Sequence, residues 1–365
     1  MNSKTVVGIF FGGKSAEHEI SLLSAKNIYE AIDRTKFEPV LVGIDKNGRW
    51  VLNEAERFLL NSDDPSLITL DTSGKKVALQ TENRGLLAAG KADNFTPVHI
   101  DVVFPILHGP FGEDGTIQGF FKLADIPFVG SGVLGSAVGM DKDAMKRLLR
   151  DAGLPVGKFI TLKSHEKAPS FAEVKNALGS PFFVKPANMG SSVGISKVSN
   201  DGEYAAALND AFQYDLKIII EEFIPGREIE CAVLGNEEPF ASIPGEIIPS
   251  HDFYSYSAKY LDENGAALEI PAKLDGDTAK RIQELAVKVF QVLCCEGLSR
   301  VDFFLKKNGE IIVNEINTMP GFTKISMYPK MLEASGISYS ELITRLIELA
   351  LARFEKECKL RTSVV

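Results

Sequence analysis

The stretch Arg300–Asn317, RVDFFLKKNGEIIVNEIN, sets two carboxylates, a guanidinium and an amide inside an otherwise apolar pair of strands. Asn308–Gly309 is a strong signal for a tight hairpin. With a two-residue loop, Lys307 opposes Glu310 and opposed residue numbers sum to 617, so Asp302 faces Glu315 and Arg300 faces Asn317. Strand alternation then puts all four on one face. Carboxylates directly opposed across a ladder repel each other. Together with an amide oxygen they form a hard donor set suited to Mg²⁺. A solvated acidic face with Arg300 bridging the charges is the competing reading.

Other groups have chemistry of their own. Lys185 ends an apolar strand ahead of a Gly/Ser loop, Met189-Gly-Ser-Ser-Val-Gly194, as a phosphate-binding charge beneath a lid would. His108 opens the glycine-punctuated loop HGPFGEDG after the apolar run VVFPIL, at the carboxyl end of a strand where α/β sheets bind ligands. Gly321, in the Pro-Gly turn after the hairpin, is placed either to present a bare N–H to an oxyanion or simply to turn the chain. Glu17 stands in the first turn of a helix, where it compensates the helix dipole or receives an ammonium. Gly8-Ile-Phe-Phe-Gly-Gly-Lys-Ser15 spells GxxxxGK[ST], the phosphate-cradling loop pattern. Its central Ile-Phe-Phe continues an apolar strand, and burying those side chains leaves no free cradle, so that reading is rejected.

The elements that position these groups alternate between strand and helix. Thr5–Phe11, Glu38–Ile44 and Ile100–Leu107 read as strands and Ala16–Ile32 as a helix, an α/β pattern with a parallel sheet. Leu52 to Val98 reads as polar, irregular insertions. Asp141–Ala152, Glu203–Phe212, Thr278–Leu293 and Tyr339–Lys356 read as helices. Phe159–Leu162, Pro181–Lys185, Val193–Val198, Lys217–Glu222, Glu228–Leu234, Arg300–Leu305 and Glu310–Asn317 read as strands. At 365 residues the chain predicts several domains, taken as 1–128, 129–224 and 225–365.

Composition narrows the partners. Forty Lys and Arg against 49 Asp and Glu leave a formal charge of −9, against a dedicated nucleic-acid binder. No apolar run approaches the ~20 residues of a membrane span. Four cysteines without a CxxC pair predict a reduced, cytoplasmic protein. Five scattered histidines offer no zinc spacing.

In order along the chain, GGKSAEHEISL, HGPFGEDG, MDKDAMKRLL, FVKPANMGSSVGISKV, SAKY, RVDFF and NEINTMPGFT resemble D-alanine–D-alanine ligases. The resemblance implies an ATP-grasp fold: an N-terminal Rossmann-like parallel-sheet domain and two α+β lobes clamping ATP. It implies ligation of two D-alanines through a D-alanyl phosphate for peptidoglycan precursors. Another ATP-grasp carboxylate–amine ligase, such as a D-alanine–D-lactate ligase, is the alternative. By that resemblance Lys142, Lys185, Glu221, Ile224 and Glu228 bind ATP, and Asp302, Glu315 and Asn317 carry Mg²⁺ or Mn²⁺, two ions. Glu17 orients the first D-alanine with His108 and Ser191. Arg300, Ser326 and Met327 lie near the second substrate and the phosphate, and Gly321 supplies the oxyanion amide. Lys259 and Tyr260 form a lid pair typical of D-alanine acceptance. A homodimer is implied as well.

Overall fold

Thr5–Gly12 (β1) has Val7, Ile9, Phe10 and Phe11 fully buried, so both faces of the strand are covered. That is how a strand inside a parallel sheet flanked by helices reads. In the computed structural model, which describes residues 4–61, 64, 67–80, 85–89, 95–249, 266–361 and 363, β1 lies near one edge of such a sheet. The helix His18–Ala31 (α1) leads to Phe37–Ile44 (β2). Then follow Trp50–Asn53 (β3), Leu59–Leu60 (β4), Thr69–Leu70 (β5), Lys75–Gln80 (β6), Gly85–Ala89 (β7), Phe95–His99 (β8) and Val102–Ile106 (β9). β1 is parallel to both β2 and β9. The sheet continues antiparallel from β2, in the order β8-β7-β6-β3-β2-β1-β9.

This corrects the expectation for Leu52 to Val98. Much of that stretch is a meander that widens the sheet. Its polarity has a simple cause: β6 and β8 are largely exposed, so neither carries the alternation that marks a half-buried strand.

The chain continues through Thr116–Leu123 (α2), Val133–Met140 (α3) and Lys142–Asp151 (α4). Asp141 caps α4 by accepting from Ala144 N at 3.0 Å. Next come Phe159–Lys163 (β10), Phe171–Leu178 (α5), Phe182–Pro186 (β11), Ser196–Val198 (β12), Asp201–Ala211 (α6) and Lys217–Glu222 (β13). Their strands form one antiparallel sheet, β10-β13-β11-β12.

The remaining elements are Arg227–Gly235 (β14), Phe240–Ala241 (β15), Gly245–Pro249 (β16), Ala266–Glu269 (β17), Gly276–Val292 (α7), Gly297–Leu305 (β18), Ile311–Asn317 (β19), Met327–Ala334 (α8) and Tyr339–Glu357 (α9). The sheet order is β17-β16-β14-β18-β19, with β15 on β14. The terminal helix returns to the first sheet. Leu342, Leu346 and Ile347 share one core with Val7, Leu22 and Phe104, and Phe104 meets Phe322 edge-on at 5.7 Å.

The β18–β19 hairpin differs from the two-residue loop predicted. Lys306 N donates to Glu310 O and Gly309 N to Lys306 O, both at 2.9 Å, so the loop has three residues. Of Asn308 and Gly309 only the glycine has positive φ, at 82°. Next to the loop Leu305 therefore pairs with Ile311, a sum of 616. A bulge at Asn314 then takes up one residue, and beyond it Asp302 pairs with Glu315 and Arg300 with Asn317. The register expected at the four chemical residues is the one observed, reached by a longer turn and a compensating bulge.

Candidate active site

A cleft of about 990 Å³ opens where the elements above meet. Its lining includes Glu17, His108, Lys142, Ser191, Glu228, Arg300, Asp302, Glu315, Asn317, Gly321, Ser326 and Met327, twelve of the residues singled out from sequence. They come from β-strands, helix starts and loops between Glu17 and Met327.

One wall is built around Glu17, buried at the start of α1. The Ser191 hydroxyl donates to Glu17 Oε1. Two glycines let the chain close around this carboxylate: a Cβ on Gly109, whose φ is +73°, would stand 2.7 Å from Glu17 Oε2, and one on Gly190 would stand at 3.0 Å. Ser191 and Ser192 both adopt positive φ, 50° and 59°, conformations that side chains resist and that cluster at ligand sites. Beside Glu17 lies His108, whose Nδ1 faces the Met319 carbonyl at 2.9 Å and whose Nε2 faces Ser24 Oγ at 3.3 Å. A carbonyl only accepts, so Nδ1 carries the proton and Nε2 receives the serine hydroxyl. Burial holds the imidazole below its ordinary value, against the pull of Glu17, so it is neutral.

The opposite wall is acidic. Arg300 grips both oxygens of Asp302 at 2.7 Å, and its Nε also stands 3.0 Å from Glu230 Oε2. Asn317 donates to Asp302 at 3.0 Å. Arg300 does bridge the carboxylates, as one reading of the sequence has it, but inside a cleft and not on a solvated face. Glu230 was not anticipated. It sits directly opposite Asp302 on β14, and it shares a strand face with Glu228, a period-two signal that the REIECAV segment does contain.

Between the walls, Lys142 donates to the Met189 carbonyl at 2.6 Å and lies 3.9 Å from Glu315. Burial keeps its ammonium below the ordinary value although Glu315 works against this. Lys185 and Glu221 are absent from the cleft lining and form a buried pair at 2.6 Å, with Lys146 on the other oxygen of Glu221 at 2.7 Å. Burial raises the Glu221 carboxyl, but the two lysines outweigh it and bring it to about 2. Lys185 is held above its usual value, since Glu221, Glu315 and Glu228 together exceed the effect of burial. Ile224, half-buried after β13, is also outside the lining.

Gly321 packs against Ser326: a Cβ there would lie 3.1 Å from Ser326 Oγ. That hydroxyl accepts from Thr323 N at 3.1 Å and holds the turn. Met327, in the first turn of α8, is buried in the shared core while lining the cleft. Lys259 and Tyr260 lie outside the described residues. The GxxxxGKS match is an extended strand up to Gly12, and Lys14 stands over the Phe111 ring at 5.2 Å, so no phosphate loop exists there. Glu113, within HGPFGEDG but not singled out, also lines the cleft.

Comparison with known proteins shows the family. Residues 6–131 match the family model "D-ala D-ala ligase N-terminus" and residues 148–348 the model "D-ala D-ala ligase C-terminus". The chain is 56% identical over 363 residues to the D-alanine–D-alanine ligase of Shouchella clausii, covering 99% of each. A solved D-alanine–D-alanine ligase from Coxiella burnetii is similar at a TM-score of 0.84 with 38% identity, covering 98% of both chains. The VanG D-Ala:D-Ser ligase of Enterococcus faecalis is similar at 0.84 with 39% identity, covering 95% of this chain and all of that one.

Proposed function

The chain belongs to the D-alanine–D-alanine ligase family, and we propose how its own residues carry out that reaction. It is an ATP-grasp enzyme that joins two D-alanines at the expense of ATP, for peptidoglycan precursors. The observation that carries the assignment of roles is the single cleft with Glu17, His108 and Ser191 on one wall and Arg300, Asp302, Glu315 and Asn317 on the other.

Glu17 receives the ammonium of the first D-alanine, with Ser191 fixing the carboxylate oxygen that faces it. The substrate carboxylate is thereby aimed at the γ-phosphate of ATP, held by Lys142 and Lys185, with Glu221, Ile224 and Glu228 around the nucleoside. Asp302, Glu315 and Asn317 offer hard oxygen donors that strand register brings to one face, a donor type suited to Mg²⁺ or Mn²⁺, and they are proposed to carry two such ions once Arg300 releases Asp302. When bound, those ions neutralise charge on the transferring phosphate. Arg300 is placed to take up charge on the same phosphate and, with the Gly321 N–H, on the tetrahedral oxyanion formed when the second amine attacks the acyl phosphate. Ser326 and Met327 border the second substrate. Lys259 and Tyr260 are proposed as the lid that keeps water from the acyl phosphate.

The three units 1–128, 129–224 and 225–365 are proposed as the parts that clamp ATP between the second and third. A homodimer is supported by exposed Phe120, Leu123, Val133 and Leu134 on neighbouring α2 and α3. A cytoplasmic location is supported by four free cysteines and, among the described residues, by no helix long and apolar enough to cross a membrane. The decisive assay is phosphate release from Mg-ATP with and without D-alanine, with the dipeptide identified by mass. Release should depend on D-alanine and match dipeptide formation; release without amino acid refutes the reading. Light scattering decides the homodimer, a monomer mass excluding it.

A further inference from the structure

Glu113 joins two loops that carry different halves of the chemistry. Its Oε1 accepts from Gly109 N at 2.8 Å, one residue after His108. Its Oε2 accepts from Met319 N at 3.0 Å, midway between Asn317 and Gly321. The backbone of Met319 is thus held on both sides, its N–H by Glu113 and its carbonyl by His108 Nδ1 at 2.9 Å. We propose that Glu113 is a positioning residue that sets the Gly321 amide against the first D-alanine, and that arrival of the D-alanine ammonium at Glu17 tightens its grip.

The physical argument is one of charge. A carboxylate accepts two N–H bonds at full strength; the neutral acid keeps one good acceptor and must place its own proton. The charged groups around Glu113 are Glu17 at the start of α1, which disfavours its ionisation, and Arg300 on β18, which favours it. His108, on the same loop, is neutral by burial, and Asp114 is turned away to Phe111 N and Thr116 N. Burial and then Glu17 push the Glu113 carboxyl up to about 8, against its backbone hydrogen bonds and Arg300. An ammonium bound at Glu17 offsets that repulsion, though not the effect of burial, and shifts Glu113 toward the doubly accepting form. The loop holding Gly321 would then be held more firmly when substrate is present.

This rests on the roles proposed for Glu17 and Gly321, and dipeptide formation by the wild-type enzyme tests those separately. With that activity in hand, Glu113→Gln is compared with wild type. The variant should keep its melting midpoint within about 3 °C and its KM for ATP within about twofold, while kcat falls at least about tenfold. In wild type the acid limb of kcat/KM for D-alanine should include a step near pH 8, the ionisation of Glu113, with activity rising as pH rises through it. That step should be missing from Glu113→Gln. Glu113→Asp, which keeps the charge but withdraws it from Met319, should keep the step and still lose turnover by about tenfold. Unchanged kcat in both variants, or a wild-type pH profile in Glu113→Gln, overturns the proposal; so does full turnover in Glu113→Asp if the glutamine variant does not fold.

Discussion

Asp302 and Glu315 face each other across β18 and β19, with Asp302 held by Arg300 and Asn317. If they carry the metal as proposed, neutralising one removes a ligand charge worth several kcal/mol at the transferring phosphate, at about 1.4 kcal/mol per tenfold. Asp302→Asn or Glu315→Gln should therefore lower turnover by at least about 100-fold with the circular dichroism spectrum unchanged; near-normal rates in saturating Mg²⁺ would refute the assignment. Glu221 differs, because its charge serves the fold as well. Its carboxyl is held at about 2, so its stabilising contribution is complete above the ordinary carboxylate range and is lost as pH falls toward 2. The gap in unfolding free energy between wild type and Glu221→Gln should narrow between about pH 5 and pH 2. A gap independent of pH would mean that the two lysines do not hold the Glu221 carboxyl down. At this scale the sequence was most legible where residues sit in one short segment. Ordered motifs and local alternation located the hairpin face, whereas Glu113 matters through a neighbour far along the chain that nothing local marks, and Glu230 had only its alternation with Glu228 to show for it.

Helix α4 shows how an element places a site. Asp141 caps it, and also pairs with Lys217 at 2.5 Å, just before Lys142 enters the cleft. Asp141→Ala should cost about 1 kcal/mol or somewhat more from the cap and raise the KM for ATP by displacing Lys142. Asp141→Ser, which keeps the cap but not the charge, should recover most of the stability. Thermal melts and ATP titrations read the two effects apart; an unchanged KM would mean that Met189 alone fixes Lys142. Legibility also varied by element. Buried strands such as β1 declared themselves by unbroken apolar runs, whereas β6 and β8 of the meander have exposed residues on both faces and read as loop. The β18–β19 turn shows that a right register can follow from a wrong loop, since a bulge is a tertiary adjustment that local propensity does not encode.

The molecule is closed by its last helix. Arg353 on α9 donates to the carbonyls of Gly130 at 2.6 Å and Phe128 at 2.8 Å, pairs with Glu296 at 3.1 Å and lies over the Phe128 ring. Arg353→Met leaves two buried carbonyls without their donor and should cost about 2–4 kcal/mol in denaturant unfolding. A loss below about 0.5 kcal/mol, the scale of a neutral surface change, would show that the apolar contacts of α9 suffice. The amino-acid sequence by itself determined the alternating strands and helices, the hairpin face with its paired carboxylates, the failure of the GxxxxGKS match and, through its ordered motifs, the family. These depend on local periodicity and on residue types at short spacing. Only the tertiary structure decided which distant groups share a cleft: that Glu17 meets Ser191, that Glu113 spans two loops, that Glu230 joins the acidic wall, and that Lys185 is held by Glu221 beside Lys146. The physical reason is that such contacts are set by how sheets and helices pack against one another, and burial and charge act on a residue through whatever that packing brings near it.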